Sequence, residues 1–130
     1  RVIDYRDWQV PLGRRFRALK LWFVLRWYGA EGLRHHVREH VRLAGELAGR
    51  IERDPRLALA APARLNLVCF RHVDGDEATQ RLHEALNATG RVYLTHTRLD
   101  DRYVVRAAVG TWTTEQRHVD ALWDLIDELA

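Results

Sequence analysis

Apolar residues first recur at helical spacing between Arg14 and Tyr28. Phe16, Leu19, Phe23 and Trp27 fall on one line, and Ala18, Leu21, Trp22, Val24 and Leu25 fill most of the remaining circumference. A helix apolar nearly all round belongs in a core or against a partner surface. Gly29 supplies its stop, and Pro11 with Gly13 marks extended or turning chain before it. A second helix is predicted over Ala30–Arg53, with Leu33, Val37, Val41, Ala44, Leu47, Ala48 and Ile51 inward. Its other face carries Arg34, Arg38, Glu39, Arg42, Glu46 and Arg50, an ordinary solvated stripe closed by Asp54-Pro55.

Strand patterns follow. Leu57–Ala60 reads as a short strand and Leu65–His72 as a clearer one, with Asp74-Gly75 turning the chain out of it. Asp76–Asn87 repeats the helical period through Ala78, Leu82, Ala85 and Leu86, and Gly90 ends it. Arg91–Thr97 and Arg102–Val109 form two strands joined at Leu99-Asp100-Asp101 as a hairpin. Thr113 with Gln116 reads as a capping box before a last helix lined by Val119, Leu122, Trp123, Ile126 and Leu129. The order helix, helix, strand, strand, helix, strand, strand, helix predicts an α+β layer, with helices on one face of a small, mostly antiparallel sheet.

Composition narrows the class. In 130 residues, 47% hydrophobic and 30% charged content suits a folded domain with a real core. Lys20 is the only lysine beside twenty arginines, a skew that makes the net charge of +3 weak evidence for nucleic acid. The single Cys69 excludes an internal disulfide and a cysteine metal cage, and suits a reducing cytoplasm. The first helix is too short and too interrupted by charge to cross a membrane, and no signal peptide is visible. The sequence holds no methionine and opens directly on a motif, which points to a fragment.

Candidate chemistry is sparse. Arg14, Arg15 and Arg17 at a helix N-terminus suit either an anion or carboxylates from another surface. His36 and His40 have the four-residue spacing of paired metal ligands, with no third ligand at a matching distance. Cys69 reads as a small apolar strand residue with no base beside it.

The segment Trp8–Gly29, WQVPLGRRFRALKLWFVLRWYG, resembles the group II pyridoxal-phosphate-dependent decarboxylases, closest to their aromatic-L-amino-acid and tyrosine decarboxylase branch. The resemblance continues through GLRHHVREHVRLA (Gly32–Ala44), NLVCFR (Asn66–Arg71) and YVVRAAV (Tyr103–Val109). It implies the C-terminal small domain of a fold-type I pyridoxal-phosphate enzyme. Residues 1–29 would be an extended lead-in and interface helix coming from the large cofactor-binding domain, and residues 30–130 the small domain itself. The longer protein would be a cytoplasmic homodimer decarboxylating tyrosine, DOPA or tryptophan, with no nucleic-acid or membrane partner. An aromatic aldehyde synthase or histidine decarboxylase of the same family is the alternative, and a free-standing interaction domain with a basic helix lies outside it. Lys20 matches a helix motif and not the cofactor-bearing lysine, so no catalytic, cofactor or metal residue is expected in this chain. By resemblance, Arg6 matches an arginine at the base of a loop that closes over substrate, and Gly13 a glycine approaching the active site across the dimer interface. By the same resemblance His40 matches a family histidine, which implies packing or a local hydrogen bond.

Overall fold

The computed structural model describes residues 15–130, which form two units, one ending at Arg34 and one spanning His35–Ala130. A helical stretch, α1, runs Arg17–Arg53 and is broken at Gly29, whose φ of 65° and ψ of 175° are not helical. Glycine alone adopts that pairing at no steric cost, so the predicted boundary between two helices falls where it was placed. In the first unit the helix carries its apolar residues outward: Phe16 is 75% and Trp27 80% exposed. Trp22 meets Phe23 edge-on at 5.1 Å, and the Arg26 guanidinium lies 5.8 Å from the Trp22 ring.

The second unit holds the core. After α1 come β1 (Leu57–Leu59), β2 (Leu67–His72), α2 (Asp76–Ala88), β3 (Thr95–Leu99), β4 (Arg102–Ala108) and α3 (Gln116–Leu129). The four strands form one antiparallel sheet in the order β1-β2-β4-β3. Phe70 stands opposite Val105 and Val68 opposite Ala107, and this inner row is sealed by Leu43, Leu47 and Ile51 of α1, Leu86 of α2 and Ile126 of α3. Phe70 and Ile126 are fully buried. Burial of each such side chain contributes about 1.5–3 kcal/mol.

Three expectations shift. On α1 the buried rows are Leu43, Leu47, Ile51 and Ala44, Ala48, whereas Val37 and Val41 are exposed. At 100° per residue Val41 falls beyond the edge of that face, and Val37 precedes the first buried turn. The third strand starts at Thr95 instead of Arg91, because the backbone N–H of Leu94 donates to Asn87 Oδ1 and its carbonyl accepts from Asn87 Nδ2. A side chain thus takes the place of a ladder partner. The capping box is Glu115 with His118, not Thr113 with Gln116: the Glu115 N–H donates to His118 Nδ1 at 2.9 Å. Thr111–Thr114 forms a turn of its own, and the Gln116 amide instead bridges Arg42 and Asp120.

Candidate functional site

Arg6, Gly13 and Arg14 lie outside the described residues. Arg15, Arg17 and Lys20 are exposed at the start of α1. His36 and His40 bring their ring centroids to 6.2 Å, and among the described residues no three metal-ligating side chains converge. Cys69 is half-buried on the side of the sheet away from the helices, since strand alternation turns Val68 and Phe70 inward. Among the described residues no helix is long and apolar enough to cross a membrane.

The structure instead assembles a polar cluster that sequence inspection passed over. His83, 7% exposed, sits on the core-facing side of α2. Its Nδ1 lies 2.9 Å from the Tyr103 hydroxyl, and its Nε2 lies 3.0 Å from both the Leu94 carbonyl and Asn87 Nδ2. Nε2 cannot serve both neighbours. A proton on Nε2 donates to the carbonyl, which has none to give, and Asn87 is already satisfied by the two Leu94 backbone groups. Nδ1 then accepts from the Tyr103 hydroxyl, and every member has a partner. His96 stacks on Tyr103 at 4.7 Å with 10° between the planes. Asp76 Oδ1 accepts the Tyr103 N–H at 3.0 Å, fastening the start of α2 to β4. Burial pushes the Tyr103 phenol above its usual value of 10.0, so it stays a neutral donor at pH 7. The four-residue step from His83 to Asn87 was the available signal, since it stacks two polar side chains on one helix face.

With both ring nitrogens engaged and little surface, this cluster clamps α2, β4 and the Leu94 segment together and leaves no reactive atom open. Nearby, Thr79 does similar work: its buried hydroxyl donates to the Gly75 carbonyl and accepts the His72 N–H. A second anchor lies at the end of α1. Asp54 accepts the Arg56 backbone N–H at 2.9 Å and the Arg56 guanidinium at 2.6 Å, and that guanidinium also reaches Asp127 of α3. The Arg56 side chain holds the Asp54 carboxyl below the ordinary carboxylate value.

A pyridoxal group needs a lysine amine and a cradle for its phosphate. Lys20, the only lysine, is exposed on a helix among apolar side chains, so the described residues do not fit such a group.

Comparison with known proteins places this architecture. Tryptophan decarboxylase of Camptotheca acuminata is 45% identical over 98% of this chain. Phenylacetaldehyde synthase of Arabidopsis thaliana is 42% identical over 99% of it. The chain spans about a quarter of those relatives' length, 27% of the first and 28% of the second. Among solved structures, that of Oryza sativa TDC with PLP and tryptamine superposes with a TM-score of 0.84 at 40% identity, covering 99% of this chain and 29% of that one. The model of the pyridoxal-dependent decarboxylase conserved domain matches residues 2–73. With more than half its length matched, and its α+β fold shared with a relative solved with PLP, this chain belongs to the pyridoxal-dependent decarboxylase family.

Proposed function

We propose that the chain is the C-terminal part of a pyridoxal-phosphate-dependent carboxy-lyase that converts an aromatic L-amino acid (tyrosine, DOPA or tryptophan) to its amine. The observation that carries this reading is the match of 99% of the chain, at a TM-score of 0.84, to a structure containing PLP and tryptamine. When bound, the cofactor supplies an electron sink for the bond to the departing carboxylate. The residues holding it belong to the remainder of the polypeptide, and no step is assigned to this chain.

The contribution of the chain is architectural. Residues 1–29 lead in from the cofactor-binding domain, and residues 30–130 form the small domain. The exposed apolar residues of the first helix support burial against that large domain or the second subunit of a cytoplasmic homodimer. Arg6 anchors the loop that covers substrate, and Gly13 brings the backbone close to the pocket. A second reading, oxidative conversion to an aromatic aldehyde, is favoured by the 42% identity to the Arabidopsis phenylacetaldehyde synthase. The longer protein is to be assayed with L-tryptophan and L-tyrosine, following its visible absorbance, carbon dioxide release and oxygen uptake. A substrate-dependent band with carbon dioxide release and no oxygen uptake supports the decarboxylase. Oxygen uptake selects the aldehyde synthase, and a colourless protein inert to amino acids refutes both.

A further inference from the structure

Of the seven histidines, four are committed to the fold. His83 uses both ring nitrogens, His96 lies flat on Tyr103, His118 Nδ1 accepts the Glu115 N–H, and His72 Nδ1 accepts the Asp74 N–H at 3.1 Å. His36 and His40 differ in kind. They stand one helical turn apart on α1, beyond its break at Gly29 and within the second unit. They continue the row that buries Leu43 and Leu47, just ahead of its first buried turn, and both are half-buried. Partial burial restricts the rings beforehand, so less side-chain entropy is lost when they take a ligand.

The ring centroids are 6.2 Å apart, with 39° between the planes. A metal–nitrogen bond is about 2.0–2.1 Å and a ring nitrogen lies roughly 1.1 Å from its centroid, so two imidazoles on one ion have centroids no more than about 6.4 Å apart. The observed pair falls inside that limit with no change of backbone. His35 and His36 are as close, at 5.8 Å, but adjacent residues leave a helix in different directions and cannot both aim at one ion. Glu39 adds a favourable charge. The Arg42 guanidinium holds its carboxyl below the ordinary value, and the ionised group lies within electrostatic reach of His40. Because Arg42 occupies that carboxylate, Glu39 is a charged neighbour and not a ligand.

We propose that His36 and His40 together bind a divalent late transition metal, copper(II) in preference to nickel(II) or zinc(II), through one nitrogen of each ring. Two imidazole nitrogens with water in the remaining positions suit the tetragonal geometry of copper(II), which also stands highest in the divalent affinity order. Among the described residues no third ligating side chain converges, so the closed tetrahedral set of a structural zinc site is not formed by them. The second nitrogen of each ring keeps whatever protein partner it has, as in most metal-bound histidines.

The test is a titration of the 130-residue chain with copper(II) chloride alone, followed by calorimetry, electron paramagnetic resonance and ¹⁵N NMR. One equivalent should bind, with splitting from two nitrogens, and paramagnetic broadening should centre on the amides of residues 36–40. His36→Gln and His40→Gln should each weaken binding by about tenfold or more, because the second imidazole binds intramolecularly. His35→Gln should bind as wild type does. His40→Gln/Val41→His keeps the number of histidines but turns the second ring off the shared face, and should stay as weak as His40→Gln. Broadening centred on any other histidine, unchanged affinity in either single variant, or recovery by the displaced histidine overturns the proposal. So does competition by magnesium(II) at equal concentration, which would mean oxygen ligands in place of imidazole. In the longer protein, wild type should hold one more equivalent of copper than His36→Gln/His40→Gln; no difference overturns the proposal there. None of these readouts uses cofactor or turnover, so their failure leaves the decarboxylase reading standing, and the reverse also holds.

Discussion

Replacing Asn87 by alanine tests whether a side chain truly stands in for a strand at Leu94. Asn87 donates to the Leu94 carbonyl at 2.9 Å and accepts its N–H at 2.8 Å, and Leu94 is 7% exposed. Each bond contributes about 0.5–1.5 kcal/mol net, and stranding a buried N–H costs about 1–3 kcal/mol. The carbonyl keeps the His83 Nε2 proton and is not stranded. Asn87→Ala should therefore lose about 2–4 kcal/mol of stability, toward the low end where water reaches the freed N–H. Urea unfolding followed by tryptophan fluorescence measures the loss, and hydrogen exchange at the Leu94 amide localises it. Asn87→Asp gives a signed control. It keeps the acceptor but turns a carboxylate toward a carbonyl, which raises its folded pKa. Its deficit against wild type should shrink as pH falls toward about 4, where the protonated acid regains a donor. A loss below about 0.5 kcal/mol for Asn87→Ala, or a Leu94 amide as protected as before, would refute the substitution of side chain for ladder.

Three further outcomes are expected. A Cβ added at Gly45 or Gly49 meets nothing within 4 Å, so Gly45→Ala and Gly49→Ala should each add about 0.5–1 kcal/mol by calorimetry. The Arg56 guanidinium holds the folded pKa of Asp54 below the ordinary carboxylate value, so its contribution is present above that value and disappears as pH falls through the folded pKa. Asp54→Asn should flatten that acid limb in a pH series of Tm. Tyr103 has its pKa raised above 10.0, so its contribution is complete below pH 10 and declines as pH rises through the folded pKa. Tyr103→Phe should be less stable at neutral pH and converge on wild type in alkali.

The fold was largely legible because its strongest signals are local. Gly29 marked a break that glycine alone makes cheaply, and the run Leu65–His72 announced a strand, in which the structure buries Val68 and Phe70. Non-local partners were invisible. Nothing near Leu94 reveals that Asn87 will occupy its backbone, and Thr113 offered capping chemistry as good as that of Glu115 until the Thr111–Thr114 turn removed it. Thr79 and His83 carried no sign of burial in the sequence, because their burial depends on acceptors supplied by Gly75 and Leu94. The roles of Arg6 and Gly13 came only from resemblance, since a loop anchor is defined by the loop it holds.

The strand order has a consequence in time. Asp100 and Asp101 both have positive φ, 49° and 61°, so β3 and β4 are joined by the tight mirror-image turn that closes hairpins within microseconds. Yet β4 lies between β2 and β3 in the sheet and is the last of these four strands to leave a ribosome. Until it arrives, Val68 and Phe70 have no neighbour on that side, and the edge of β2 offers its backbone to any passing strand. During synthesis the exposure to misassembly is therefore greatest before Val105 emerges, and it ends when the hairpin docks as a unit.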